Sequence, residues 1–187
     1  MGKVTVTKTD IEGLFVIETA LYGNERGYFT ETYNKQDMEA LGLDMEFVQD
    51  NQSLSLKGVL RGLHYQKEHS QGKLIRVIRG EIYDVAVDLR RDSSTYLKWH
   101  GEILSEKNRR QFYISPGFAH GYLVLSDEAV ILYKCTDFYH PEDEGGIAWN
   151  DPAIGVKWQG LKDESFLEDG TPLIINERDR NWPFIGE

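Results

Sequence analysis

The stretch GVLRGLHYQ, residues 58–66, places Arg61 and His64 in a run that otherwise has the apolar character of a strand. Burying a charge or an imidazole without a partner is costly, so such groups usually line a cavity or belong to a satisfied network. Imidazole titrates near neutral pH and can move a proton or bind a metal, whereas a guanidinium binds phosphates and carboxylates. The stretch therefore indicates a site for proton transfer, for a metal or for an anionic ligand.

Cations are concentrated around this stretch. Residues 57–79 contain six Lys or Arg residues and one acid, although the whole chain carries a net charge of −10. For Lys57 and Lys67 we favour a simple role on strand edges, where lysine prevents unwanted pairing. Arg61 and Lys73 are better suited to a small anion such as a phosphate or diphosphate.

The elements that must position these groups are mostly strands. Short segments rich in β-branched and aromatic residues follow one another at even spacing, separated by turn residues at 80–81, 115–117 and 126–127. This rhythm is typical of a β-sandwich or barrel. A barrel with an open mouth is a common ligand site, so inward-pointing polar residues become candidates for function.

Two regions depart from the strand pattern. Residues 34–44 predict a short helix capped by Asn34, with Met38, Leu41 and Met45 on one stripe. Residues 159–187 are polar and interrupted by Pro and Gly, which predicts loop and short helix wrapping the barrel. The chain is therefore expected to form a single domain over residues 1–187.

Composition excludes several classes of protein. An apolar fraction of 40% is sufficient for a folded core, and the acidic balance argues against binding nucleic acid or an anionic membrane. No apolar run approaches the roughly 20 residues of a membrane span. A single cysteine, Cys135, permits no internal disulfide and is consistent with the cytoplasm.

Strand alternation would place Arg61 and His64 on opposite faces of the sheet. A β-bulge at Gly62 would reset the phase and allow both side chains to reach one site, and bulges are frequent beside active sites.

A metal site is one alternative for this stretch, because barrels of the cupin type resemble this chain in two short motifs. The spacing from Gly58 to His64 matches the first motif and His120, in SPGFAH, matches the second. Gln66 and Gln71 stand where further His and acidic ligands are expected. Two imidazoles and an amide make a poor divalent-metal set, so we expect no metal there.

Three longer segments carry a more specific resemblance. They lie within residues 10–158 and read FVQDNQSLSLKGVLRGLHYQ, QGKLIRVIRGEIYDVAVDLRRDSSTYLKWHGEILS and SPGFAHGYLVLSDEAVILYKCTDFYHPEDEGGIAWNDPAIGVKW. In this order they resemble the dTDP-4-dehydrorhamnose 3,5-epimerase family. The resemblance implies an all-β double-stranded β-helix, a cupin-like jelly-roll barrel with short peripheral helices, assembled as a homodimer. It also implies cofactor-independent epimerisation at C3 and/or C5 of a nucleotide-linked 4-keto-6-deoxyhexose in dTDP-rhamnose biosynthesis.

The same resemblance assigns catalytic roles to four residues. His64 is the general base, Asp179 in INERDRN is its carboxylate partner, Lys73 stabilises the enolate oxygen, and Tyr133 donates the returning proton. The division is chemically sound, because a C–H beside a ketone is acidic only if a base removes the proton while the enolate is stabilised.

Ten further residues are expected to bind the substrate: seven match the family's ligand-binding positions, with the arginines suited to a diphosphate, His120 would hydrogen-bond the sugar, and Phe29 and Tyr139 would stack on the nucleotide base. They are Arg26, Phe29, Glu31, Gln49, Asn51, Arg61, His120, Tyr139, Glu144 and Arg178. Three alternatives stay open: an epimerase acting at C3 or C5 alone in a related pathway, a metal-dependent cupin, and a non-catalytic protein that binds sugar nucleotides.

Overall fold

A computed structural model of the chain describes residues 4–186, so residues 1–3 and 187 of the predicted domain lie outside the described range. The fold is almost entirely strands. These are β1 Val4–Lys8, β2 Leu14–Thr19, β3 Tyr22–Asn24, β4 Gly27–Phe29, β5 Gln49–Leu56, β6 Leu60–Gln66, β7 Lys73–Arg79, β8 Glu81–Asp88, β9 Trp99–Ser105, β10 Gln111–Ile114, β11 Phe118–Val124, β12 Glu128–Cys135 and β13 Glu144–Gly146. The helices are α1 Lys35–Ala40 and α2 Glu177–Arg180, with a 3₁₀ turn at Pro141–Asp143.

Eleven strands form two sheets that pack face to face. One sheet has the order β1-β2-β10-β7-β12-β5 and the other β13-β6-β11-β8-β9, while β3 and β4 form a separate two-stranded pair among the described residues. All the strand pairs are antiparallel, and sheet neighbours are mostly distant in sequence, which is the arrangement of a jelly roll. The predicted fold class is therefore confirmed. Apolar side chains from both sheets fill the interior, among them Ile75, Ile82, Leu104, Phe112 and Ile114.

The predicted helix is present but shorter than the pattern suggested. Asn34 caps α1 by accepting hydrogen bonds from the backbone N–H groups of Gln36 and Asp37, and Met38 is fully buried. Leu41 was wrongly placed on the buried stripe. It is 46% exposed, because the helix ends at Ala40 and the chain turns away from the core.

The bulge proposed at Gly62 is also present. In the β6–β11 ladder His64 pairs with His120 and Arg61 with Tyr122, so β6 carries one extra residue. Gly62 has a φ of +132°, and a Cβ there would lie 2.6 Å from the Cα of Gly121. Only glycine fits this crossing, and the bulge turns Arg61 and His64 toward the same cavity.

The C-terminal segment runs along the outer face of the five-stranded sheet. Its residues Leu167 and Ile175 are buried in one apolar cluster with Leu60 and Leu63 of β6. Ile174 forms a parallel bridge with Val59, and the segment then reaches α2, which contacts β6. The C-terminal segment therefore places α2 next to β6, the strand that carries His64. Within residues 4–186, no helix combines the length and the apolar character needed to cross a membrane.

Candidate active site

A cavity of about 310 Å³ opens between the two sheets, and we call it the main cavity. The five-stranded sheet contributes β6 and β11 to its walls, and the six-stranded sheet contributes β5, β7 and β12. The fold thus gathers residues that are scattered along the chain. Ten of the predicted site residues line the main cavity: Gln49, Asn51, Arg61, His64, Lys73, His120, Tyr133, Tyr139, Glu144 and Arg178.

His64 is paired with a buried carboxylate. Its Nε2 lies 2.8 Å from Oδ1 of Asp179, which is 1% exposed. Asn176 caps α2 and fixes the Asp179 backbone, while the backbone N–H of Gly62 donates to Asp179 Oδ2. Burial favours the neutral acid, but the hydrogen bonds from His64 and Gly62 outweigh it and lower the pKa of Asp179. An ionised Asp179 accepts a hydrogen bond from the Nε2–H of His64, so the lone pair of the imidazole is on Nδ1.

A second pair of the same kind lies on the adjacent strands. His120 stands opposite His64 in the ladder, and its Nε2 is 2.9 Å and 3.1 Å from the two carboxylate oxygens of Asp84. Asp84 is completely buried, and burial raises its pKa despite the opposing effects of His120 and Lys73. Sequence analysis missed Asp84. The available signal was an acid in the middle of the apolar strand EIYDVAVD.

Lys73 is the first residue of β7 and is half-buried at the wall of the main cavity. It begins an inward stripe that continues with the buried Ile75 and Val77. Burial lowers the pKa of Lys73, and nearby Cys135 and Asp84 partly offset that effect. The side chain can therefore meet a negative charge with little competition from water.

Tyr133 lines the main cavity from β12, where it pairs with Asn51 on one side and Ile75 on the other. Burial raises the pKa of its phenol, which keeps the hydroxyl protonated at neutral pH. The ring also packs against the core.

Hydrogen bonds link the polar residues of one rim. Glu144 Oε2 accepts from Arg178 Nη1 at 2.6 Å and from the Tyr139 hydroxyl at 3.1 Å. Gln49 accepts from the Tyr139 backbone N–H at 3.0 Å and donates to Asn51 at 3.1 Å. This rim is a prearranged set of charged, amide and aromatic groups.

Three hydroxyl groups near Arg61 were not anticipated. The Tyr122 hydroxyl is 3.2 Å from both Ser53 Oγ and Ser55 Oγ, and Ser55 accepts from Arg61 Nε at 3.1 Å. They orient the guanidinium beside the main cavity.

The two glutamines at the expected metal positions bind backbone instead. Gln66 bonds the carbonyls of His69 and Phe138 and the N–H of His140, and Gln71 bonds the carbonyl of Asp137. At the expected metal positions this leaves the imidazoles of His64 and His120. This donor set does not fit a divalent metal in the main cavity.

Arg26, Phe29 and Glu31 do not line the main cavity. Arg26 and Phe29 are exposed on the hairpin in which β3 pairs with β4. Glu31 accepts a hydrogen bond from the Asn34 side chain at the start of α1. Their predicted contacts with ligand remain predictions.

A jelly roll with a polar cavity between its sheets is a cupin-type barrel, and the groups in this cavity suit it to proton transfer. The chain belongs to the dTDP-4-dehydrorhamnose 3,5-epimerase family, because the sequence model of that family matches residues 8–187.

Individual relatives agree with this assignment. The dTDP-4-dehydrorhamnose 3,5-epimerase of Methanothermobacter thermautotrophicus is 54% identical over 187 residues, covering 100% of this chain and 97% of that one. A dTDP-6-deoxy-D-glucose-3,5-epimerase from Legionella pneumophila, solved in complex with dTDP-4-keto-L-rhamnose, is 45% identical with a TM-score of 0.88, covering 97% and 93%. A 3'-monoepimerase from Streptomyces bikiniensis in complex with dTDP-quinovose is 30% identical with a TM-score of 0.82, covering 94% and 85%.

Proposed function

We propose that this protein epimerises a dTDP-linked 4-keto-6-deoxyhexose at C3 and/or C5, forming dTDP-4-dehydrorhamnose for deoxysugar biosynthesis. The observation that carries the proposal is the position of the proton-transfer groups. His64, held by Asp179, and Tyr133 belong to opposite sheets of one cavity, and Lys73 lines the same space. The substrate class rests on the relatives named above.

The geometry supports an enolate mechanism. The Nδ1 lone pair of His64 takes the proton from the carbon beside the ketone, and the C–H electrons move into the enolate. The negative charge that develops on the oxygen is met by the Lys73 ammonium. The Tyr133 phenol then returns a proton to the opposite face and the ketone re-forms. His64 afterwards releases its extra proton to solvent, and the Tyr133 phenolate takes one up.

His120 and Asp84 support this step without taking the proton. The negative charge of Asp84 favours the charged form of Lys73, and it fixes which nitrogen of His120 faces the cavity. His120 then hydrogen-bonds the sugar near the ketone.

The substrate's diphosphate and base bind at the rim. Arg61 and Arg178 supply guanidinium groups for phosphate oxygens, and Gln49, Asn51 and Glu144 supply hydrogen bonds. Tyr139 offers an aromatic face for the base. No metal or other cofactor takes part, a view that rests on the donor set in the main cavity and on the use of Gln66 and Gln71 by backbone groups.

The protein is proposed to act as a homodimer in the cytoplasm. Tyr28 and Phe29 on the β3–β4 hairpin are each 66% exposed, which is unusual for large aromatic rings unless another surface covers them. Arg26 and Phe29 can bind ligand only if the hairpin extends into the cavity of a second copy. The unpaired thiol of Cys135 fits a reducing compartment.

The direct test is to incubate the protein with dTDP-4-keto-6-deoxyglucose in heavy water and follow C3 and C5 by NMR. Deuterium entry with inversion is expected, at an unchanged rate in EDTA. Absence of exchange would indicate a binding protein, and loss of turnover in EDTA that one divalent ion restores would indicate a metalloenzyme. Inversion at a single carbon is the second candidate function, favoured by the similarity to a 3'-monoepimerase.

A further inference from the structure

Two histidines and an aspartate meet outside the main cavity, at the ends of two strands. His69 follows β6, and Asp137 and His140 follow β12. One ligand atom from each lies within 4.8 Å of the other two, and His69 Nδ1 is 3.7 Å from Asp137 Oδ2. We infer that His69, Asp137 and His140 form a binding site for a divalent transition metal ion such as Zn²⁺, separate from the proton-transfer residues.

The backbone of all three residues is fixed by two glutamine side chains. Gln66 bonds the carbonyl of His69 at 2.6 Å and the N–H of His140 at 2.7 Å, and Gln71 bonds the carbonyl of Asp137 at 2.9 Å. The two chain segments are therefore held together before any ion binds. This prearrangement lowers the entropic cost of bringing three ligands around one ion.

Neighbouring groups also determine which atom of Asp137 and of His140 is available to bind a metal. Asp137 Oδ1 accepts the backbone N–H of Phe138 at 2.7 Å, which leaves Oδ2 free for the metal. His140 Nδ1 lies 3.3 Å from Glu142 Oε1, a contact that leaves Nε2 as the ligand atom. A carboxylate behind a metal-bound histidine is the usual outer partner in such sites.

The side chains need only a small rearrangement to bind. The rings of His69 and His140 are stacked with centroids 4.0 Å apart and planes at 19°. A metal bound to both requires the rings to turn so that their lone pairs converge at about 2.0–2.1 Å from one ion. The side chains of His69 and His140 are 50% and 32% exposed, so they have room to turn.

The ligand set selects the kind of ion. Two imidazoles and one carboxylate favour Zn²⁺, Ni²⁺ or Cu²⁺ over Mg²⁺ and Ca²⁺, which prefer oxygen ligands. Three protein ligands leave an open position for water. A bound ion would join the segment after β6 to the segment that carries Tyr139 at the cavity rim.

Calorimetric titration of tag-free, EDTA-treated protein with Zn²⁺ tests this site, with Co²⁺ as a spectroscopic probe. One equivalent should bind, Co²⁺ should give visible d–d bands, and Mg²⁺ should not bind. His69→Ala, His140→Ala and Asp137→Asn should each weaken Zn²⁺ binding by more than about tenfold, and Glu142→Gln by about tenfold. His100→Gln, which removes a histidine elsewhere, should bind like the wild type.

Two results would overturn the inference: equal Zn²⁺ binding by the wild type and by folded His69→Ala and Asp137→Asn, or loss of binding in His120→Asn instead, which would place the ion in the main cavity. The readout is binding, so it is independent of whether the epimerase activity is found.

Discussion

The His64 imidazole and the Asp179 carboxylate are 115 residues apart in sequence and 2.8 Å apart in space. The pair formed by His120 and Asp84 has nearly the same separation, 2.9 Å. The two acids nevertheless differ, because hydrogen bonds lower the pKa of Asp179 whereas burial raises that of Asp84. Their contributions to the free energy of unfolding should therefore change with pH in opposite directions.

The first prediction compares Asp179→Asn with Asp84→Asn. The folded-state pKa of Asp179 lies below its ordinary value of 3.8, so its stabilisation is complete above that pH and disappears as pH falls through the folded value. The folded-state pKa of Asp84 lies above its ordinary value of 3.8. The wild type therefore loses stability relative to Asp84→Asn as the pH rises from 3.8 to that folded-state pKa.

Urea unfolding from pH 3 to 7 measures both effects. Near pH 7, Asp179→Asn should cost about 2 kcal/mol, the scale of a hydrogen bond to a charged group, and Asp84→Asn should cost less. Parallel pH profiles for the two variants would contradict the opposite environments assigned to the acids.

Lys73 gives the second prediction. Lys73→Met removes the charge but keeps an apolar stem, and should lower the rate of deuterium exchange by about 10²–10³-fold with a smaller change in KM. Lys73→Arg should not restore the rate, because a planar guanidinium cannot replace a compact ammonium at a half-buried wall. The measurement is the deuterium-exchange rate and the KM of the wild type and of both variants, followed by NMR. A KM effect alone would make Lys73 a binding residue.

The third prediction concerns Trp182, which stands edge-on to His64 with ring centroids 6.3 Å apart. Gly146 lies beneath the indole, and a Cβ there would overlap the ring. Gly146→Ala should displace Trp182 and thereby shift the His64 imidazole. We expect kcat to fall by about ten- to a hundredfold. In the Trp182→Ala background the same substitution should have little further effect. Additive losses in kcat would show that Gly146 acts through some other contact.

The fourth prediction tests the exposed hairpin. The wild type should have twice the chain mass of 21.5 kDa by light scattering, and Tyr28→Glu combined with Phe29→Glu should shift it to the monomer. Phe184, an exposed aromatic outside the hairpin, provides the control as Phe184→Glu. A wild-type monomer, or a dimer that survives the hairpin double variant, would refute the proposed interface.

Hydrophobic alternation predicted the strands whose inward residues are apolar, but it missed β5. That strand points Gln49, Asn51, Ser53 and Ser55 inward, while Leu54 and others face outward. A strand that lines a polar cavity inverts the pattern by which buried strands are recognised. Periodicity was therefore least informative for β5, the strand that lines the main cavity with polar residues. Gln49 and Asn51 were identified only through the family resemblance.

Long-range pairing accounts for the other differences. Nothing local in EIYDVAVD indicates that Asp84 meets His120 on the next strand, because register is set by the whole sheet. The bulge could be foreseen, since Gly62 separates two polar residues that share a site only if the phase changes. The ligand contacts predicted for Arg26 and Phe29 rest on the proposed dimer.

Tyr133 provides the most direct test of the central claim that protons leave and return on opposite faces of the sugar. If Tyr133 supplies the returning proton, Tyr133→Phe should still form the enolate, and His64 should reprotonate it on the original face. The measurement is the ratio of solvent deuterium incorporated to product inverted, at C3 and C5 separately, for wild type and Tyr133→Phe. A ratio near one is expected in the wild type, and a clear excess of deuterium over inversion is expected in Tyr133→Phe. An unchanged ratio with normal inversion would contradict the claim and leave Tyr133 with a packing role.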